Sequence, residues 1–232
     1  MTLNKKSSQV SSMFASIADR YDLTNDVLSF GLHRLWESRA IKQLKSDSGL
    51  DCLDLCTGTG ALLKGLLKKY DRVTGADFCE EMLEIARLNY ADQIKSGQLT
   101  LDWADAMNLH YPDNNFDLIT IAYGVRNFEN LEKGLAEVGR VLKPGGQLMI
   151  LEFGQPRGWI APFYKFYARY LMPLLGSLLT GNKAAYQYLP ETAGAFPCGS
   201  KFLELFSNNR ANTKMLRLSG GIAYIYVIVN SK

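Results

Sequence analysis

The sequence is poor in the residues that build metal centres. Its 232 residues include two histidines, His33 and His110, and four cysteines, Cys52, Cys56, Cys79 and Cys198, with no C-x-x-C pair among them. That excludes a zinc site of ordinary spacing, so no metal is expected. No stretch reaches the ~18 uninterrupted apolar residues of a membrane span. The basic start, Lys5-Lys6, is not followed by an apolar segment, so no signal peptide is expected. A net charge of +3 and a pI near 8.6 are too mild to imply a nucleic-acid partner. The cysteines read as reduced structural residues in a cytoplasmic protein.

What is present is an ordinary globular balance, with 47% hydrophobic and 21% charged residues. A sizeable core can be buried in a single domain, 1–232. Strands are expected at 51–56, 72–77, 99–103, 116–123 and 147–153. Helices are expected between them at about 61–70, 80–90 and 131–142. This alternation predicts βαβ units and a parallel sheet. The pattern then changes. Lys214–Leu218 and Ile222–Val229 flank Ser219-Gly220-Gly221, a hairpin signal. Residues 51–154 thus form a core, with 1–50 a helical extension before it, helical at 9–18 and about 35–44. Residues 155–198 are a helical insertion, and 199–232 close the domain with a helix and the hairpin.

The sharpest motif is Leu53-Asp54-Leu55-Cys56-Thr57-Gly58-Thr59-Gly60. A strand running into glycines lets backbone approach a ligand closely, and a helix after Gly60 would direct free N–H groups there. Asp77 lies 17 residues past Gly60 at a strand end, where a carboxylate can accept bonds from both ribose hydroxyls. A dinucleotide-binding site shares this pattern but usually carries a third glycine, where this chain has Leu63. Asp54 also suits the ammonium and sulfonium of S-adenosylmethionine better than a pyrophosphate. Asp105 can take the adenine amino group and the Ala106 N–H a ring nitrogen; the plain alternative for Asp105 is a loop cap. Gly58, Gly60, Asp77, Asp105 and Ala106 are therefore the candidate cofactor residues. The closing hairpin and these motifs together predict a Rossmann-like class I methyltransferase fold. Its seven-stranded, mostly parallel sheet would end in an antiparallel pair.

Longer signatures carry a family resemblance. They are Met13-Phe14, Arg20-Tyr21-Asp22, Asn25-Asp26, Ser29-Phe30-Gly31-Leu32-His33-Arg34-Leu35-Trp36, Gly124-Val125-Arg126-Asn127, Leu151-Glu152-Phe153 and Tyr186-Gln187-Tyr188-Leu189. From residue 13 to about 221 the chain resembles the ubiquinone/menaquinone biosynthesis C-methyltransferase family. By that resemblance Thr59, inside the glycine motif, joins the candidate cofactor residues. Ala122 departs from it, where the family often has Ser, as does Thr57-Gly58, where it often has two glycines. The resemblance implies methyl transfer from S-adenosylmethionine to a ring carbon of a reduced polyprenyl quinone, demethylmenaquinol to menaquinol. Only the quinol is electron-rich enough at carbon to attack. Ionising a phenol of pKa about 10 at pH 7 costs roughly 4 kcal/mol, and a nearby cation lowers that pKa by ~1–3 units.

Arg126 is the candidate cation, since it stays charged, and Asn127 could orient the ring oxygen. The plain alternative is that both brace a loop. His33 is the candidate base, against a packed structural histidine. Tyr21 and Asp22 read equally as a flap over the cofactor or as a helix end. Residues 155–190 hold no Asp or Glu, four basic residues and eight aromatics. At helical spacing Phe163, Phe166, Tyr167, Tyr170 and Leu174 share a face, with Lys165 and Arg169 on another and Pro173 ending or kinking the helix. Such a segment suits the inner face of an anionic membrane, where a polyprenyl quinol resides. The alternative is a lid packed on the core or on a second copy in a homodimer. Two other functions compete: methylation of a small soluble acceptor, and a catalytically silent, methyltransferase-like membrane-binding module.

Overall fold

The computed structural model describes residues 6–47, 49–209 and 212–230. Seven strands form one sheet: β1 Asp51–Leu55, β2 Arg72–Asp77, β3 Leu99–Trp103, β4 Phe116–Ala122, β5 Leu142–Phe153, β6 Asn212–Leu218 and β7 Ala223–Val229. Their order is β3-β2-β1-β4-β5-β7-β6. β1 to β5 pair in parallel, and β7 runs antiparallel to both β5 and β6. The expected parallel sheet with an antiparallel end is observed.

Helices flank it: α1 Ser7–Ala15, α2 Tyr21–Ser29, α3 Leu32–Ile41, α4 Leu63–Leu66, α5 Glu80–Asn89, α6 Ala91–Lys95, α7 Leu131–Val141, α8 Ile160–Phe166, α9 Met172–Thr180, α10 Lys183–Ala195 and α11 Ser200–Leu203. Side chains alternate across a strand. Leu53, Leu55, Ile119, Ile121, Leu148 and Ile150 therefore enter one core with Val138 of α7 and Phe202 of α11. Cys52, Leu118, Met149 and Leu151 enter a second core with Trp36 and Ala40 of α3 and Leu63 and Leu66 of α4. The central strands are buried on both faces, which is why they read as near-continuous apolar runs.

Three expectations change. The helix foreseen over 61–70 is only the four-residue α4 between turns. Gly60 and Leu63 already bond back to Thr57 and Gly60, so a helix N-terminus is not what faces the ligand. The extension has three helices rather than two, because α2 lies where Tyr21–Ser29 showed no clear apolar stripe. β5 starts at Leu142: the chain pairs there, bulges through Lys143–Gly146 and resumes its register at Gln147. In the insertion, one π-helical turn, Tyr167–Leu171, leads into α9, which carries Pro173 in its first turn, where a missing N–H costs nothing.

The extension and the insertion pack on each other. Ile17 and Leu28 bury against Ala185 and Tyr186. Arg20 donates to the Leu179 carbonyl at 2.6 Å, and the Tyr167 hydroxyl to that of Leu28 at 2.6 Å. Together they roof the carboxyl ends of the central strands. The roof is pinned by Trp36, which is 3% exposed. It meets Phe153 edge-on at 6.2 Å and donates to Ser219 Oγ at 3.0 Å. Trp36→Ala is expected to lower stability by about 3–5 kcal/mol, the usual cost of emptying a buried aromatic site. Denaturant unfolding measures this, and a loss below about 1 kcal/mol would mean α3 is held elsewhere.

Candidate active site

The strand order reverses between β1 and β4, so the chain leaves their carboxyl ends in opposite directions and opens a crevice. Both exits require left-handed backbone at non-glycine residues, Cys56 (φ 60°) and Tyr123 (φ 58°). Gly124 sits between them, where a Cβ would come within 2.4 Å of Cys56 Cβ. Unfavourable backbone held by surrounding packing is common at ligand sites.

The glycine loop is built for close approach. Gly58 (φ 57°) and Gly60 (φ 97°) are both left-handed, and a Cβ on Gly60 would strike the Tyr90 ring at 2.4 Å. Tyr90 donates its hydroxyl to the Gly60 carbonyl at 2.8 Å. Asp77 Oδ2 accepts from the Gly58 N–H at 2.8 Å and Oδ1 from the Cys79 N–H at 2.9 Å. Each oxygen keeps a lone pair for a further donor. Burial pushes the Asp77 carboxyl up, and these backbone donors oppose that. Asp54 is 2% exposed and accepts from Thr57 Oγ1 at 2.7 Å and Thr120 Oγ1 at 2.6 Å. Burial raises it to about 6.

A small cavity beside the loop collects Gly58, Asp77, Asp105 and Ala106, floored by Met82 and Phe128. Asp105 Oδ1 also caps the Met107 N–H at 2.9 Å. Thr59 and Gly60 line a far larger cavity of about 980 Å³. The two share Tyr21, Cys56, Gly58, Ala122 and Tyr123. Thr59 Oγ1 donates to Asp22 Oδ1 at 2.7 Å, so α2 is fastened to the loop; Tyr21 and Asp22 form the start of a helix that also lines the site.

The large cavity holds His33 and Arg126, whereas Asn127 lines the small one. Arg126 is 1% exposed and its guanidinium is paired to Glu152 at 2.7 Å. Glu152 also accepts from the Arg126 and Phe153 N–H groups. The guanidinium donates to the Tyr123 carbonyl and lies 5.1 Å over the Phe153 ring. Its Nε has no partner. Glu152 holds Arg126 firmly in its charged form, against burial. Arg126 draws down the hydroxyls of Tyr21, Tyr164 and Tyr188, which burial raises. His33 shares a 2.6 Å bond between Nδ1 and Ser29 Oγ, with Nε2 3.6 Å from Asp26. Burial lowers its pKa, so it is neutral at pH 7. Asn127 Oδ1 is buried and unpartnered.

Tyr123 and Glu37 were not singled out from the sequence, and Glu152 entered only within the Leu151-Glu152-Phe153 signature, with no role. Glu152 had a signal: it is an acid ending the apolar run Leu148-Met149-Ile150-Leu151. Tyr123 had none, because its role comes from its backbone conformation. Among the described residues no cluster of His, Cys, Asp and Glu could hold a metal ion. The four cysteines are free thiols.

A model of the ubiE/COQ5 methyltransferase family matches residues 2–230. The chain belongs to that family. It is 41% identical to the ubiquinone/menaquinone biosynthesis C-methyltransferase UbiE of Bdellovibrio bacteriovorus over 222 residues, covering 94% of each chain. It is 39% identical to the demethylmenaquinone methyltransferase of Deinococcus radiodurans over 225 residues, 96% of this chain and 92% of that one. A solved S-adenosylmethionine-dependent methyltransferase of Thermotoga maritima shares the fold at 18% identity and a TM-score of 0.66, covering 94% of this chain and 99% of that one. Phosphoethanolamine N-methyltransferase 2 of Haemonchus contortus, solved with S-adenosylmethionine, matches at 14% identity and a TM-score of 0.64, over 84% of this chain and 52% of that one. The chain is an S-adenosylmethionine-dependent methyltransferase. Two glycines that tolerate no Cβ strain or clash, and a strand-end carboxylate with spare lone pairs, fit that cofactor.

Asp77→Ala should weaken S-adenosylmethionine binding by about 1.5–3 kcal/mol for each charge-assisted bond lost. Isothermal calorimetry measures it, and unchanged affinity would remove Asp77 from the site.

Proposed function

We propose that this enzyme methylates a ring carbon of a reduced polyprenyl quinone, with demethylmenaquinol as acceptor. One observation carries the reading: a large aromatic-lined cavity runs from the glycine loop past a buried arginine to an apolar mouth. The names of the relatives support it. In this reading Asp77 holds the ribose, and Asp105, Ala106 and Asn127 surround the adenine in the small cavity. Gly58, Thr59 and Gly60 lie along the methionine end. S-adenosylmethionine, when bound, would supply a methyl group on a sulfonium.

The quinol ring takes the Arg126 side of the large cavity. Arg126 directs its unpartnered Nε–H at the ring hydroxyl and offsets the charge that develops on its oxygen. Arginine does not give up its proton, so proton removal falls to a second group. Neutral His33 can accept the hydroxyl proton at Nε2 when Nδ1–H donates to Ser29, and Asp26, 3.6 Å from Nε2, favours the imidazolium that results. Once the methyl has moved from sulfur to the ring carbon, that carbon loses its own proton to solvent and the ring oxygen is reprotonated. Pairing with Glu152 tempers the Arg126 charge without cancelling its directed N–H.

The mouth suits a lipid-borne acceptor. Phe30, Phe163 and Tyr167 border it. Phe30, Trp159, Phe163, Phe166, Tyr170 and Leu174 are each more than half exposed. Lys165 and Arg169 lie exposed beside them. Solitary apolar residues on a surface need no explanation, but a cluster of this size does. We place it against the inner face of a membrane, as a peripheral contact. No helix among the described residues is long and apolar enough to cross one. A small soluble acceptor would leave this surface without a use.

Incubation with labelled S-adenosylmethionine and a panel of quinones, each oxidised and reduced, tests the reading. Turnover is expected with the quinols alone. Equal labelling of both redox forms would refute ring-carbon attack.

Arg126→Gln should lower kcat by roughly 10²–10³-fold, the usual loss when a directed charge is removed from the transition state. Cofactor affinity should stay near that of the parent. Some activity should return at high pH, where the acceptor ionises unaided. Parallel loss of cofactor and turnover in a folded variant would instead make Arg126 a structural residue.

A further inference from the structure

Three carboxylates line the glycine-loop side of the large cavity, Asp22, Glu37 and Asp54, and a fourth, Asp26 of α2, acts on Glu37 from outside its lining. Three of the four are occupied. Asp22 accepts from Thr59, Asp54 from two threonines, and Asp26 from the Arg34 guanidinium at 2.6 Å. Glu37, one turn beyond His33 on α3, is different: its Oε1 is buried and has no hydrogen-bond partner. The hydroxyl of Tyr123, lining the same cavity, is buried and unpartnered as well. Unsatisfied buried polar atoms cost about 1–3 kcal/mol each, and two that line one cavity point to a ligand that pairs them.

The charges say which ligand. The groups acting on Glu37 are Arg34 on its own helix, Asp22 and Asp26 from α2, and Asp54 from β1. Arg34 is bound to Asp26. Glu37 in turn acts on Tyr123 and Tyr90. His33 also lines the cavity and is neutral. Exposed Lys42, Lys64 and Lys68 border it from the solvent side, and Lys69 is bonded to the Leu44 carbonyl. Arg126 acts on Tyr21, Tyr164 and Tyr188 and is committed to Glu152. The cavity is thus acidic toward the glycine loop and cationic toward Arg126. A cationic group belongs at the acidic end.

We propose that Glu37 binds the α-ammonium group of S-adenosylmethionine and releases a proton to solvent as it does so. This rests on the cofactor placement given above, with the methionine end over Gly58–Gly60. Burial and the neighbouring acids raise the empty-site Glu37 carboxyl to about 8. At pH 7 the side chain is therefore mostly neutral before the cofactor arrives. An adjacent ammonium favours the carboxylate and draws the pKa back down. The Tyr123 hydroxyl then has an anionic acceptor within the same cavity.

The experiment is calorimetric titration of the full chain at pH 7 in phosphate and in Tris, whose ionisation enthalpies differ. S-adenosylmethionine should release between about half a proton and one, since its own amine, of pKa about 8, takes up a small fraction. Glu37→Gln mimics the neutral form and should fold normally. It should release no proton and bind S-adenosylmethionine about tenfold more weakly. 5′-Methylthioadenosine keeps the adenosine and sulfur but has no ammonium. It should bind parent and variant alike, with no proton released from either. Absence of proton release from the parent would overturn the proposal, as would release that persists in Glu37→Gln. Unchanged affinity with reduced turnover would overturn it too, by moving Glu37 to the acceptor. Failure of the parent to bind either adenosine ligand would instead refute the cofactor placement.

Discussion

The site exists because β1 and β4 must part. Neighbouring parallel strands whose connections leave toward opposite faces cannot both be covered at their carboxyl ends. Here the parting is sharp enough that Cys56 and Tyr123 both take left-handed backbone, which side chains disfavour. Gly124 relieves the crowding, since no larger residue fits against Cys56. The glycine loop, the strand-end acids and the tyrosine-ringed arginine are arranged around that opening. The roof built from the extension and the insertion then closes over it.

The Arg126–Glu152 pair is the second fixed point. Both partners are almost wholly buried, so the pair is a doubtful source of stability: desolvation offsets most of the attraction. It does position. Glu152 also accepts the backbone N–H groups of Arg126 and Phe153. One carboxylate therefore ties the turn after β4 to the end of β5 and sets the direction of the guanidinium. Removing either partner leaves an uncompensated buried charge, which is why a conservative change at Arg126 must be checked for folding before its kinetics are read.

Much of the fold was legible because the central strands bury both faces and are punctuated by glycine and proline. The hairpin at Ser219-Gly220-Gly221 and the turn at Lys143–Gly146 are examples, although the latter is a bulge within β5. Short or weakly patterned elements were not legible. α4 is four residues long where ten were expected, since the loop's own turns satisfy Gly60 and Leu63. α2 has mixed polarity because one side faces the cavity and another packs on α9 and α10. Asp77 and the glycines could be read from spacing along a single strand–turn unit. Glu37, Tyr123 and Glu152 could not be assigned in that way, because their meaning depends on what lies across the cavity. Asn127 shows the same limit: adjacent to Arg126 in sequence, it faces the small cavity on the other side of the 3-10 turn.

The division of charge across the large cavity bears on how the proposed reaction can be fast. Methyl transfer from a sulfonium to a phenolate destroys one positive and one negative charge. A site that held both ions very tightly would stabilise the ground state more than the less charged transition state, and would slow the step. An arginine already committed to Glu152 avoids that trap. Its field favours ionisation of the hydroxyl, while the neighbouring carboxylate keeps the resulting phenolate from being bound too strongly. After transfer the sulfonium and phenolate charges are both gone, so the Arg126 side loses its hold on the methylated ring, while the α-ammonium, unchanged by the step, still pairs with the acidic side. A buried, paired arginine is therefore better suited to this chemistry than a free one.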